Sequence, residues 1–285
     1  MVRLSPGGSD AAEIREFDVE RKAFVEGGFS LPEARTFYEW KDVNALYVAT
    51  DFGEGTTTET GLPQVVKEWD RGTPLQQAKI IFETDSPGAW VFPIVERSGG
   101  RSYALIMYRA SRSETIRFAL HEGQLQELRI PGDARIRTNP GLGMLAVLLR
   151  SDWSVAGATY PEGSLLSIDY EGFLGGDSDF EVVFRPEERA HVLSFSLTEN
   201  LLLVNILRDA TAELYRHRRE NGRWILDPLD TPEHASTLFS GGIGSSDRFL
   251  FTSDGFLLPP TLSLAQEDGT VLRVRQQEPQ FPPGP

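Results

Sequence analysis

The chain has 285 residues, 42 acidic against 28 basic side chains for a formal net charge of −14, and no cysteine. That length admits one large all-β domain or two ordinary ones. The acidic balance argues against a nucleic-acid partner, whose phosphates require a basic footprint; the lack of cysteine removes disulfides, thiolate metal sites and a cysteine nucleophile, and leaves the compartment open.

No run approaches the roughly 18 consecutive apolar residues of a membrane-spanning helix, so no membrane partner is expected. The opening Met1-Val2-Arg3-Leu4-Ser5-Pro6-Gly7-Gly8 lacks the apolar stretch of a signal peptide, and a cytoplasmic location is the expectation.

In chain order, short runs rich in Val, Ile, Leu, Phe and Tyr alternate with Gly, Pro, Asn and Asp clusters, the pattern of many strands. Six hairpin-like segments recur: Ile14–Phe17, Val65–Trp69, Ile116–Leu120, Leu165–Ile168, Glu213–Arg216 and Thr261–Leu264. With Arg15, Val66, Arg117, Leu166, Leu214 and Leu262 as markers, the spacings are 51, 51, 49, 48 and 48. Turn signals follow several of them: Glu122-Gly123, Asn221-Gly222 and Asp268-Gly269.

Two further strands precede each later hairpin. They are Thr36–Trp40 and Ala45–Thr50, Trp90–Val95 and Tyr103–Tyr108, Ala134–Thr138 and Met144–Leu149, His191–Leu197 and Leu201–Leu207, and Ser236–Phe239 and Arg248–Thr252. Four strands in about fifty residues is the signature of a propeller blade. The prediction is an all-β β-propeller of five complete four-stranded blades, ending near Phe82, Ile130, Phe184, Leu226 and Val274, plus a partial blade. In the partial blade, Glu13–Val25 supplies an outer hairpin. A β-sandwich also spaces its strands closely but gives no reason for the same unit to recur. The predicted boundaries are a tail over 1–12, the propeller over 13–275 and a Pro-rich tail over 276–285.

Several of these segments carry a resemblance. Arg15-Glu16-Phe17-Asp18, Gly28-Phe29-Ser30-Leu31-Pro32-Glu33-Ala34, Thr50-Asp51-Phe52-Gly53, Thr58–Pro63, Val66–Leu75 and Phe256-Leu257-Leu258-Pro259-Pro260-Thr261-Leu262 together resemble the propeller of the prolyl oligopeptidase family of serine peptidases, peptidase S9. The likeness is densest over 13–83 and 250–264. It implies a seven-bladed propeller covering an α/β-hydrolase domain, which cleaves after proline with a Ser-Asp-His triad. The propeller would restrict access to short peptides. The implied partner is then a separate α/β-hydrolase domain, with a second copy of the chain as the alternative, and this chain reads as an arc of the family's ring.

Chemistry of its own is sparse in the sequence. A serine nucleophile in that architecture needs G-x-S-x-G; Gly7-Gly8-Ser9-Asp10-Ala11 and Gly244-Ser245-Ser246-Asp247-Arg248 both fail at the last position. No catalytic residue is therefore assigned, and neither a cofactor nor a metal is expected. His121, His191, His217 and His234 form no metal-ligating spacing. His121 and His217 read as solvated strand ends, and His191 as an inner-strand residue able to face a channel. Asp51-Phe52-Gly53 lacks the other parts of a kinase, and Trp69-Asp70 does not recur as in WD40 repeats. Asp177, Asp179 and Glu181 have the composition but not the spacing of a Ca²⁺ loop. Long connections at Asp51–Pro63, Ser151–Gly163 and Asp254–Pro259 carry Phe52, Trp153, Tyr160 and Phe256, aromatic residues suited to a docking or substrate-facing surface or to local packing. Two other functions remain open on these residues: an independent binding protein using those loops, and a metal-dependent propeller hydrolase of the lactonase kind. The apolar inner strands Trp90-Val91-Phe92 and Val192-Leu193-Ser194-Phe195 weigh against the second.

Overall fold

The most apolar stretches of the sequence become the second strands of four-stranded antiparallel sheets. In the computed structural model, which describes residues 1–220, 223–232, 235–242 and 246–278, Ala45–Ala49 and Met144–Leu148 are buried at every position. Strands covered on both faces read as unbroken apolar runs rather than alternating ones.

Five such sheets follow one another along the chain, each with its strands hydrogen-bonded in sequence order. Blade A comprises Phe37–Asp42, Ala45–Ala49, Val65–Asp70 and Lys79–Glu83. Blade B comprises Trp90–Ser98, Arg101–Arg109, Thr115–His121 and Gln124–Glu127. Blade C comprises Arg135–Asn139, Met144–Leu148, Leu165–Asp169 and Glu181–Phe184. Blade D comprises Ala190–Leu197, Leu201–Arg208, Thr211–Glu220 and Arg223–Pro228. Blade E comprises Ser236–Gly242, Phe249–Asp254, Thr261–Ala265 and Val271–Gln276. Pro93 sits in the first strand of blade B, an edge strand of its sheet, the position where proline is tolerated.

The chain forms two compact units, 1–96 with 103–132, and 97–102 with 133–285. Within the first, alternate residues of one strand serve two seams. Leu46 and Val48 pack with Ile14, Leu31 and Trp69, while Tyr47 and Ala49 pack with Val66, Val91 and Ile106. In the second unit, Leu202, Val204 and Ile206 of blade D meet Met144, Ala146 and Leu148 of blade C, whereas Leu201 and Leu203 meet Phe249 and Phe251 of blade E. Each fully buried leucine contributes roughly 1.5–3 kcal/mol by leaving water. Outer strands lose this cover: Val271–Gln276 is exposed at all but its first residue.

The partial blade differs from the sequence expectation. Ala12–Arg15 pairs with Val2–Leu4 on one side and Ser30–Ala34 on the other, in a three-stranded sheet. The first residues thus belong to the sheet and not to a tail, and the outer strand is Ser30–Ala34. The expected Glu13–Val25 hairpin is replaced by a separate two-residue pair, Phe17–Asp18 with Ala23–Phe24, joined edge to face by Phe17 and Phe24 at 5.3 Å. Gly27, at φ +65, lets the chain turn back so that Glu16 can accept the Phe29 N–H at 2.9 Å.

That carboxylate is also a clamp. Arg71, following the third strand of blade A, donates to Glu16 through Nη1 at 2.8 Å and Nη2 at 3.0 Å, and to the Val43 carbonyl through Nε at 3.1 Å and Nη2 at 2.8 Å. Its guanidinium lies 4.6 Å from the Phe29 ring centre. The Glu122-Gly123 turn has φ +48 and +76, the geometry of a two-residue hairpin. Asp209-Ala210 makes the same turn with φ +48 and +66, although its sequence lacks the glycine. The Asn221-Gly222 turn, His234, Gly244-Ser245 and most of the predicted C-terminal tail lie outside the described residues.

Candidate functional site

Three of the four loop aromatics are held by their own surroundings. Phe52 is half-buried beside the Leu46–Val48–Trp69 cluster, with the Lys67 Nζ 4.3 Å from its ring centre. Its loop is tied by Asp51 Oδ1 accepting the Gly53 N–H at 2.8 Å and Thr56 Oγ1 accepting the Phe52 N–H at 2.9 Å. Trp153 and Tyr160 face each other across a two-stranded ribbon, Trp153–Val155 with Ala158–Tyr160. Phe180 lies edge-on to both, at 5.0 and 6.3 Å, and takes the Tyr160 hydroxyl on its carbonyl at 3.4 Å. Tyr160 is only 8% exposed, so it presents no ring to a partner in this structure.

Phe256 is the opposite case. It and Leu257 are 100% and 91% exposed, at the tip of a turn closed by Gly255 and Leu258, which bond each other's carbonyls at 3.0 and 3.2 Å. The docking candidates therefore divide: Trp153 and Tyr160 share one ribbon, and Phe52 and Phe256 occupy separate loops of blades A and E.

Among the histidines, His191 is exposed at the start of blade D and His121 is half-buried at a strand end. His217 corrects the expectation of a solvated strand end. Thr211–Glu220 runs for ten residues, which carries His217 inside the sheet at 1% exposure between Tyr215 and Trp224. Burial lowers its pKa to about 4, against the opposing effect of a backbone hydrogen bond at Leu202. Among the described residues its Nδ1 has no hydrogen-bond partner.

Asp177, Asp179 and Glu181 line a shallow cavity with Asp169 and Arg219. Arg219 approaches Glu181 at 3.4 Å, and Asp169 caps a short helix by accepting the Gly172 N–H at 2.7 Å. Among the described residues no group of three or more His, Asp or Glu side chains is placed to hold a metal.

A site absent from the sequence reasoning lies on the first strands of blades A and B. Phe37, Trp90 and Phe92 are all half-buried, and their rings lie 5.3 Å (Phe37–Trp90), 5.0 Å (Trp90–Phe92) and 5.6 Å (Phe37–Phe92) apart. The two interplanar angles made by Trp90 are 25° and 26°. Trp90 and Phe92 share a strand face because they are two residues apart. That spacing was readable in the sequence; the juxtaposition with Phe37, fifty-three residues earlier than Trp90, was not.

Consecutive four-stranded antiparallel sheets with doubly covered second strands define a β-propeller domain. Residues 2–275 match the model of the prolyl oligopeptidase N-terminal beta-propeller domain, and the chain belongs to that family. Of its curated relatives, the uncharacterized peptidase y4nA of Sinorhizobium fredii is 29% identical across the whole of this chain and 40% of its own length. The uncharacterized peptidase RP174 of Rickettsia prowazekii is 22% identical over 93% of this chain and 39% of its own length. The chain thus spans about 40% of the length of the relatives it matches. Among solved structures, a post-proline cleaving enzyme from Rickettsia typhi superposes with a TM-score of 0.87 at 21% identity, over 98% of this chain and 43% of that one. A structure from a study of two prolyl endopeptidases gives 0.74 at 14% identity, over 98% and 40%.

Proposed function

We propose that this propeller gates and scaffolds a post-proline serine peptidase, admitting short peptides to an α/β-hydrolase domain and excluding folded proteins. The observation that carries the reading is the family match over 2–275 in a stretch of sequence with no G-x-S-x-G elbow. Bond cleavage then belongs to the hydrolase domain, and the propeller's work is steric and orienting. The test is a pair of hydrolysis assays. The 285-residue chain alone should leave a chromogenic prolyl peptide intact. Joined to the hydrolase domain of a relative, it should support cleavage of that peptide while sparing a folded protein containing the same sequence. Hydrolysis by the chain alone, or equal cleavage of the free and the folded substrate by the joined protein, would defeat the reading.

A second reading is favoured by one observation, the fully exposed Phe256 and Leu257. Here the chain is a binding module that docks a hydrolase domain through this turn. Retention of a separately expressed hydrolase domain on the immobilised chain, lost in Phe256→Ser, supports it; equal retention by the variant defeats it.

A further inference from the structure

We propose that the seam between blades D and E holds an ordered internal water, bound between Ser194 Oγ and Asn205 Oδ1 of blade D. Asn205 is fully buried on the second strand of that blade, and Ser194 on the first strand is its register partner. Side chains opposed in this way start about 4.5–5.5 Å apart at Cβ. Among the described residues, however, neither Ser194 Oγ nor Asn205 Oδ1 has a hydrogen-bond partner, and both atoms are sealed from the surface. Buried oxygens that lose their solvent bonds without replacing them destabilise a fold, and such atoms are commonly satisfied by internal water.

Two comparisons within the molecule single out this place. Asn139, on the first strand of blade C, reaches the next blade as Asn205 does: its Nδ2 donates to the Thr198 carbonyl, and Asn205 Nδ2 donates to the Thr237 carbonyl. The Asn139 oxygen is then used, accepting the Leu142 N–H at 3.0 Å, whereas the Asn205 oxygen is left over. Where two buried hydroxyls oppose each other in blade A, Thr36 and Thr50, they join directly at 2.6 Å. A bulge explains why Ser194 and Asn205 do not. Val192 pairs with Ile206 and Ser194 with Asn205, so Leu193 is an extra residue without a partner in the ladder. Such a bulge bends its strand and interrupts the ladder locally; it also puts a hydroxyl, instead of the Leu193 side chain, opposite Asn205. A water fits both groups chemically. It donates one proton to the Asn205 oxygen, which only accepts, and completes its second bond with the Ser194 hydroxyl, which donates or accepts. The facing layer of blade E is polar too, since Thr237 and Ser253 share a buried hydroxyl contact at 3.2 Å. The neighbouring layer, Leu201 and Leu203 against Phe249 and Phe251, is wholly apolar and offers water nothing. The bound molecule thus bridges the first and second strands of blade D where the bulge parts them.

Two measurements on the intact 285-residue chain test this. Oxygen-17 relaxation dispersion of the solvent counts long-lived internal waters. Ser194→Val, whose methyl groups fill the space, should lose the signal of about one such water relative to the parent. Leu272→Ser, on the outer strand of blade E, should keep the parent's count. The second measurement is a thermal melt of Ser194→Ala. Removing one of the water's partners should lower the melting temperature by about 2–4 °C. A dry site predicts the opposite sign, because deleting an unpartnered buried hydroxyl would raise it. Melts establish that each variant is folded, and Ser194→Ala carries the test if Ser194→Val is not. Equal dispersion from the parent and a folded Ser194→Val, or an unchanged or higher melting temperature in Ser194→Ala, would overturn the bridge.

Discussion

Removing the Arg71 guanidinium should loosen the join between the three-stranded sheet and blade A by an amount that depends on pH. In Arg71→Ala, Glu16 loses two charge-assisted hydrogen bonds at 2.8 and 3.0 Å, the Val43 carbonyl loses two more, and Phe29 loses the cation above its ring. Truncating one partner of a fully buried pair costs about 3–5 kcal/mol. The side chains here are 28% and 14% exposed, so water recovers part of that, and about 2–3 kcal/mol is expected at pH 7. The Arg71 hydrogen bonds hold the Glu16 carboxyl below its ordinary 4.5, aided by the Phe29 N–H and opposed by burial. A carboxylate with a lowered folded pKa stabilises in full above the unfolded value and loses that contribution as pH falls through the folded one. The difference between parent and variant should therefore be constant from pH 7 to about 5 and shrink below 4.5. Urea titrations followed by tryptophan fluorescence are suited to the measurement, because Trp40 and Trp69 both contact Phe29. An unchanged midpoint at pH 7, or a difference that persists undiminished at pH 3, would refute the clamp.

Four other outcomes follow from the seams and turns. His217, whose pKa is lowered to about 4 by burial, keeps its full contribution above pH 6.5. It should lose stability as pH falls toward 4, because the unfolded chain binds the proton first; the slope is at most about 1.4 kcal/mol per pH unit. His217→Phe should flatten that part of a stability–pH profile measured with urea. Ala210→Gly should raise stability by about 0.5–1 kcal/mol, read as a higher melting temperature, since Ala210 sits at φ +66 and left-handed strain in an L-residue outweighs the entropy lost by glycine. Leu46→Ala should cost about 2–5 kcal/mol at a seam where the side chain is fully buried. Leu257→Ser, at an exposed turn tip, should stay within about 0.5 kcal/mol of the parent.

The period was legible because each repeat must place an apolar hairpin against its neighbours. Val66, Arg117, Leu166, Leu214 and Leu262 all fall in the third strands of blades A to E, and Arg15 falls in the middle strand of the partial sheet. What stayed hidden was structure whose signal is short or non-local. Val2–Leu4 is three residues with a charge at its centre, and Ser30–Ala34 carries Pro32, which reads as a break although an edge strand tolerates it. His217 looked solvated because Arg216 and Arg218 flank it; only the length of its strand shows that alternate residues go inward. The loop aromatics, suited by sequence either to docking or to local packing, stayed undivided for a related reason. Phe180, twenty residues beyond Tyr160, and Lys67, fifteen beyond Phe52, supply the packing that local polarity concealed.

The same geometry separates the residues that hold the propeller from those free to act. A second-strand side chain has a neighbouring blade on either face, as Leu46 and Tyr47 do on opposite sides of one strand, so any change there is felt at a seam. A first strand has one hydrogen-bonded neighbour and one open edge, and its aromatic residues Phe37, Trp90 and Phe92 are half-buried where the second strands are fully covered, although Phe37 still packs against the Tyr47–Val66–Ile106 cluster. Substitution at these half-buried rings is therefore expected to cost less stability than truncation at a fully covered second-strand position. Comparing Trp90→Phe with Leu46→Ala in the same melting assay checks this, and an equal loss of melting temperature in the two variants would refute it.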